Sequence, residues 1–341
     1  MGSSRYRRHR LSRERVGLAG EGSNGHPGAR LLGAGRLLEP SRAVRRSGGI
    51  ERRKRKRCAK RACGVTLRQA ARNESARPYE PEKNPAIRRL TAGAIKRRKG
   101  KTLFPIATAY DAPFGQFVEQ AGIDVILVGD SVGNVVLGFD ETTPVTVESI
   151  LYHTQAVTRG TTRAHIMADM PFGSYQVSNE DALRSAIRLV KEGGACSVKL
   201  EGGRDQAERI RAITGAGIPV VGHIGVTPQT AGLGPGFKMR THRDRLVDDA
   251  RAIEAAGAYA IVLEVVDHEI SREITEMLSI PTIGIGSGPH CDAQVLVLHD
   301  ILGMYPHSPK FAKRYAEVGK LATQALAAYA REVREKTFPA S

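Results

Sequence analysis

Short apolar runs recur along the chain from residue 88 onward, each bounded by polar or glycine-containing turns. They are LFPIATA (103–109), DVILVG (124–129), AHIMA (164–168), CSVKL (196–200), IPVVG (218–222), YAIVL (259–263), PTIGI (281–285) and VLVLH (295–299). Nearly every position within them is apolar, which is the pattern of strands buried on both faces of a parallel sheet. Between several runs the period lengthens to that of a helix. Ala182, Leu183, Ala186, Ile187 and Val190 share one apolar face. That face follows Ser178-x-x-Asp181, which reads as a capping box, and precedes Gly193–Gly194, which suit a helix C-terminus. Similar helix-to-strand turns recur at EQAGID (119–124), KEGGAC (191–196) and EAAGAY (254–259). Eight strand–helix units predict a (β/α)8 TIM barrel, an α/β fold, over residues 88–341. A doubly wound sheet would want a Gly-rich turn after its first strand, and ATAYDAP (107–113) has none.

Residues 1–87 have a different character, rich in Arg, Gly and Ser, with the run ERRKRKRCAKR at 51–61 and no lasting apolar period. They read as a disordered basic N-terminal extension. Acids at Glu14, Glu21 and Glu39 and the missing amphipathic period count against an organellar transit peptide. The lack of interleaved aromatics counts against an RNA-binding arm, since such an arm could hold phosphates but not stack bases. A start codon assigned too far upstream would leave the same kind of segment.

Charge follows this division. The net charge is +17, but residues 1–90 hold 25 Lys/Arg against 7 Asp/Glu, and the rest holds 27 against 28. The body is therefore nearly neutral and gives no reason to expect a nucleic-acid partner. Aromatics make up 5% of the chain and Trp is absent, so the core must be built from Val, Ile, Leu and Ala. Cys58, Cys63, Cys196 and Cys291 form no CxxC pair and no zinc-type spacing. Cys196 reads as a reduced, buried thiol, which fits a cytoplasmic, reducing setting. No stretch approaches the roughly 18 consecutive apolar residues of a membrane span.

In a barrel, chemistry collects at the C-terminal ends of the strands. VILVG ends in Asp130–Ser131, HIMA in Asp169, SVKLEG carries Lys199 and Glu201, PVVG ends in His223 and AIVL in Glu264. One strand-end carboxylate is ordinarily a loop cap or an ion-pair partner; polar or charged groups on five strands in succession are not explained that way. Strand alternation puts Lys199 and Glu201 on one side and Leu200 on the other. Asp130, Asp169 and Glu201 converging on one mouth would repel one another unless a cation or Lys199 compensates. An all-oxygen donor set without Cys or paired His favours a hard ion, Mg²⁺ foremost. Such an ion can chelate a 2-oxo acid and favour loss of its α-proton. Lys199 would then hold developing negative charge, and Glu264 is the candidate general base. His223 fits a site-lining role and a purely structural one about equally. Tyr110 and Asp111 close the first strand and shape the pocket. The Gly-rich IGIGSG (283–288) reads as a tight backbone turn, since a lone GxGxG is weak support for a phosphate or cofactor cradle.

VGDSVGN, ADMPFGSYQ, VKLEGG, GHIGVTPQ, AIVLE, IPTIGIGSG and HDILG…PKFAK together resemble the ketopantoate hydroxymethyltransferase family, in order and at family spacing, from about residue 88 to 335. The resemblance implies a Mg²⁺-dependent (β/α)8 barrel, homo-oligomeric and typically decameric. It implies transfer of a hydroxymethyl group from 5,10-methylenetetrahydrofolate to 3-methyl-2-oxobutanoate, giving 2-dehydropantoate at the first step of pantothenate biosynthesis. Carried over by position, it puts Asp130, Asp169 and Glu201 at Mg²⁺, Asp130, Ser131, Asp169 and Lys199 at the oxo acid, and Glu264 as proton acceptor. The chain departs from the family pattern in the loop AGLGPGFKMRTH (231–242) and in DAQVLV (292–297), both outside these positions. Lyases of the phosphoenolpyruvate/isocitrate type also bind 2-oxo acids through Mg²⁺, but their Lys-Lys-Cys-Gly-His motif is absent.

Overall fold

A computed structural model describes residues 88–232 and 236–339, so the expected disordered extension at 1–87 lies outside the described residues. Eight parallel strands, β1 (Phe104–Thr108), β2 (Val125–Val128), β3 (His165–Asp169), β4 (Ser197–Glu201), β5 (Val220–Gly225), β6 (Ala260–Glu264), β7 (Thr282–Ile285) and β8 (Ala293–Leu296), pair in sequence order and close into a barrel. The helices are α1 (Ala92–Lys96), α2 (Ala112–Gln120), α3 (Val132–Val135), α4 (Val147–Gly160), α5 (Asn179–Lys191), α6 (Ala207–Gly215), α7 (Pro228–Ala231), α8 (Arg243–Ala255), α9 (His268–Met277), α10 (Leu298–Leu302) and α11 (Val318–Arg334). Among the described residues, no helix is long and apolar enough to cross a membrane.

Period-two alternation explains why the strands are apolar throughout. Phe104, Ile106, Leu127, Met167, Val262 and Val295 pack together inside the barrel, with Leu90 before α1 and Ile95 on it closing its N-terminal end. Their neighbours Ile126, Ile166, Val198, Leu200, Ile261 and Leu263 pack outward against the helices. The cap of α5 is as expected, with Ser178 Oγ accepting from the Asp181 N–H at 3.0 Å, and Gly194 leaves the helix at φ 77°. Its buried face is Ala182, Ala186 and Leu189, while Ile187 is 42% exposed. The apolar stripe is therefore rotated toward Leu189, because the i, i+4, i+7 row is the one that meets the barrel.

The last strand also differs from its expected position. The run at 295–299 is strand only to Leu296, and Leu298 and His299 begin α10. Register decides this: Phe104 and Pro105 pair with Ala293 and Gln294, which recruits two earlier residues. The Thr108 hydroxyl then accepts the Leu298 N–H at 2.9 Å, turning the chain out of the sheet. Cys196 is free but only partly buried, because it lies just before β4; Cys291 is free and buried.

The floor of the barrel holds a polar group within apolar surroundings. The Leu90 carbonyl accepts from His165 Nδ1–H at 2.9 Å, so Nε2 is the ring acceptor facing the hydroxyls of Ser197 (2.8 Å) and Tyr259 (3.0 Å). Burial pushes His165 from 6.5 down to about 4. A depressed histidine contributes stability that is complete above 6.5 and lost as pH falls toward 4. The loss at the acid end is about 3 kcal/mol at most. We predict that the stability advantage of the wild type over His165→Gln, from urea unfolding, shrinks by this order between those two pH values. An advantage that does not change with pH would contradict the assignment.

Candidate active site

The acidic strand ends meet above the inner apolar layer. After β2 the chain passes through Gly129, where a Cβ would stand 3.0 Å from Ser131 Oγ and 3.3 Å from Asp169 Oδ2. Glycine there lets β2 and β3 ends approach, and the Asp130 N–H donates to Asp169 Oδ2 at 3.0 Å. Ser131 begins α3 without capping it through its side chain. Its hydroxyl instead pairs with the Tyr110 hydroxyl at 2.8 Å. Burial pushes the Tyr110 phenol far above its ordinary value, so it remains a neutral partner.

Strand register brings in the remaining groups. Asp169 lies opposite Lys199, and Lys199 Nζ is 2.9 Å from Asp169 Oδ1. Two residues on, Glu201 lies opposite His223. Lys199 and Glu201 share the inner side while Leu200 packs outward, as strand alternation requires. Glu264 ends β6 opposite Gly225, with 14% of its side chain exposed and Oε2 3.3 Å from His223 Nε2. His223 is thus central: Nδ1 lies 3.4 Å from Lys199 Nζ and 3.6 Å from Glu201 Oε1. An ammonium only donates, so Nδ1 is the acceptor and the ring proton sits on Nε2, toward Glu264. The Nε2–Glu264 contact is oblique and leaves Nε2 without a well-aligned hydrogen bond.

Charge in this cluster is unbalanced. Asp130, Asp169, Lys199, Glu201 and His223 are all buried, and Lys199 is the one full cation among them. Burial, then repulsion from Asp169, pushes the Asp130 carboxyl up to about 7. Burial and the Asp130 charge push Glu201 well above the carboxylate range. Burial alone would lower Lys199, but Asp169, Glu201 and Asp130 hold it above its ordinary value. Burial and the Lys199 charge lower His223, keeping it neutral. Among the described residues, Glu201 Oε1 is buried with no hydrogen-bond partner, and Asp169 Oδ1 faces only the Lys199 ammonium, without a well-aligned hydrogen bond.

These oxygens form a hard donor set with excess negative charge, which fits a divalent cation chemically. Among the described residues, no three His, Cys, Asp or Glu side chains are gathered into a ready cage. Mg²⁺ does not need one, because it keeps several waters and takes few carboxylates.

The cluster lines a cavity of about 1110 Å³ whose wall also includes Ser131, Val135, Phe237, Met239, Tyr305 and Phe311. A second cavity of about 630 Å³, lined by Leu103, Pro105, Cys291 and Gln294, borders the first through His268, Gly286 and Phe311. The second has only Asp292 as a carboxylate, and that group is paired with Lys99 at 2.9 Å. The chemistry belongs to the first.

Three features of the site had no assignment from sequence. Gln229 and Tyr175, both buried, connect the strand-end carboxylates. Both stand within GHIGVTPQ and ADMPFGSYQ, and the visible signal was only a polar side chain in a loop just after a strand. Val265, directly after Glu264, has φ 50°, a left-handed conformation that is strained for a β-branched residue. Its N–H donates to Ile285 O at 2.8 Å, and the next amide, Val266, donates to Ser287 Oγ at 3.0 Å, which hold the turn in place. Ser287 within the Gly-rich turn therefore has a structural task, in line with the reading of that turn.

A closed parallel barrel with ionisable groups converging at the C-terminal strand ends defines an α/β-barrel enzyme. The family profile described as ketopantoate hydroxymethyltransferase matches residues 89–341. The chain belongs to the ketopantoate hydroxymethyltransferase family and is a transferase. It is 52% identical over 258 residues to the 3-methyl-2-oxobutanoate hydroxymethyltransferase of Carboxydothermus hydrogenoformans, covering 74% of this chain and 93% of that one. It is 49% identical over 256 residues to a protein of that name from Thermus thermophilus, covering 74% and 97%. Among solved structures, a phosphonopyruvate hydrolase aligns with a TM-score of 0.51 at 14% identity, over 72% of this chain and 88% of that one. That likeness concerns the fold alone.

Proposed function

We propose that this enzyme transfers a hydroxymethyl group from 5,10-methylenetetrahydrofolate to 3-methyl-2-oxobutanoate, yielding 2-dehydropantoate for pantothenate biosynthesis. The observation that carries the reading is the buried cluster of Asp130, Asp169 and Glu201 around Lys199, with Glu264 at its edge. Asp130, Asp169 and Glu201 would hold Mg²⁺. When bound, the ion supplies Lewis acidity toward the 2-oxo acid, making its C3 proton more acidic.

The chain's own residues do the rest. Lys199 neutralises the substrate's carboxylate and oxo oxygens, and Ser131, oriented by Tyr110, donates to them. Glu264 takes the C3 proton, with His223 Nε2 3.3 Å from its Oε2. The freed electron pair at C3 forms a bond to the folate's methylene carbon, water supplies the hydroxyl oxygen, and both carbon–nitrogen bonds to the folate break, their nitrogens taking up the proton removed from C3 and the one released by water. Val135, Phe237, Met239 and Phe311 give the cavity an apolar wall suited to a planar heteroaromatic co-substrate. The same reading makes the protein a cytoplasmic homo-oligomer, a decamer by its resemblance. In support, α11 has no buried residue and exposes Leu321, Leu326 and Tyr329, a face that a second copy would cover.

The test is a coupled assay for 2-dehydropantoate, with Mg²⁺ and methylenetetrahydrofolate each present or withheld. Product is expected only with both. Undiminished turnover in a chelator would remove the metal, and turnover with formaldehyde-free buffer and no folate would remove the donor.

A further inference from the structure

Gln229 joins four consecutive strand ends through its buried side-chain amide and its own backbone N–H. It stands in α7, just after β5, and is 1% exposed. Its backbone N–H donates to Glu201 Oε2 at 3.1 Å. Its Nε2 donates to Asp130 Oδ2 at 2.8 Å and to the Met170 carbonyl at 3.0 Å. Its Oε1 accepts from the Tyr175 hydroxyl at 2.7 Å. The partners settle the amide's orientation: a carboxylate and a carbonyl both accept, so the NH₂ must face them. Flipped, the amide would set its oxygen against two other oxygens in a buried site. Tyr175 is also buried, and its hydroxyl accepts the Glu201 N–H at 3.2 Å, tying the same strand end a second time.

The consequence lies in which oxygens remain. Gln229 occupies Oδ2 of Asp130 and Oε2 of Glu201, while Glu201 Oε1 has no hydrogen-bond partner among the described residues. We propose that Gln229 is a positioning residue that leaves each of these two carboxylates a single oxygen for the cation, and so favours a small octahedral ion over a larger one. Magnesium takes few carboxylates in strict geometry, whereas calcium takes more oxygens and commonly binds a carboxylate through both. The inference rests on the cation reading above.

Isothermal titration of Mg²⁺ and of Ca²⁺ into the folded, substrate-free protein tests it, with thermal unfolding of each variant alongside. In Gln229→Met, Mg²⁺ affinity should fall by about 10- to 100-fold, in line with lost outer-shell support. Ca²⁺ affinity should fall less, so the Mg²⁺/Ca²⁺ ratio shifts. Tyr175→Phe should shift the ratio the same way by a smaller factor. A folded Gln229→Met with an unchanged ratio overturns the inference, whether or not both affinities drop. If that variant does not fold, the ratio in Tyr175→Phe decides in the same manner. A wild type that binds neither ion overturns the cation reading itself, and the inference with it.

Discussion

Replacing Glu264 with Gln is expected to abolish exchange of the C3 proton of 3-methyl-2-oxobutanoate while leaving the fold intact. Gln has the same length and shape, and the side chain projects from the last residue of β6 into the cavity. An amide has no basic oxygen at working pH, so the proton has no acceptor in reach. Loss of a positioned base costs on the order of 10²- to 10⁴-fold. Proton transfer is separable from carbon–carbon bond formation, so the readout is exchange into heavy water without folate, followed by NMR. Wild-type exchange in the variant would remove Glu264 as the base. Overall turnover alone would not separate these outcomes, because Glu264 also contributes charge to the cluster.

The second large effect is on stability. Lys199→Met removes the only full cation among Asp130, Asp169 and Glu201, all buried. Removing one partner of a buried ion pair leaves uncompensated charge and costs about 3–5 kcal/mol. The sign of its pH dependence follows from the raised carboxyls. Asp130, pushed up to about 7, prefers its protonated form in the folded state. Its destabilising charge is absent below the ordinary carboxyl range and develops as pH rises toward 7. Without Lys199 that charge is less compensated, so the deficit of the variant should be larger at pH about 8 than at about 5. Urea unfolding at the two values measures it. A deficit as large in acid as in base would show that Lys199 acts through packing of its alkyl stem.

Much of this site was legible because strand periodicity is local. The runs ending in Asp130, Asp169, Glu201 and Glu264 are strands or abut them, and the alternation that puts Lys199 beside Glu201 needs no partner strand. Less was legible where the partner decides. Ile187 belonged to the apolar face by spacing, yet Leu189 is the side chain that reaches the barrel. The start of β8 came from its register with β1. Gln229 and Tyr175 were unassigned because the short segments that carry them have no period, and their roles exist only through hydrogen bonds to distant strand ends.

By itself, the order of residues determined a (β/α)8 barrel with acids and a lysine at one end of its strands. Those are consequences of hydrophobic burial and of the two-residue repeat, which act along the chain. The tertiary structure alone decided that Lys199 faces Asp169 and that His223 stands between Lys199 and Glu264. It also decided that Gln229 holds one oxygen from each of two carboxylates. These depend on closure of the barrel and on inter-strand register, which bring together side chains that no local repeat relates.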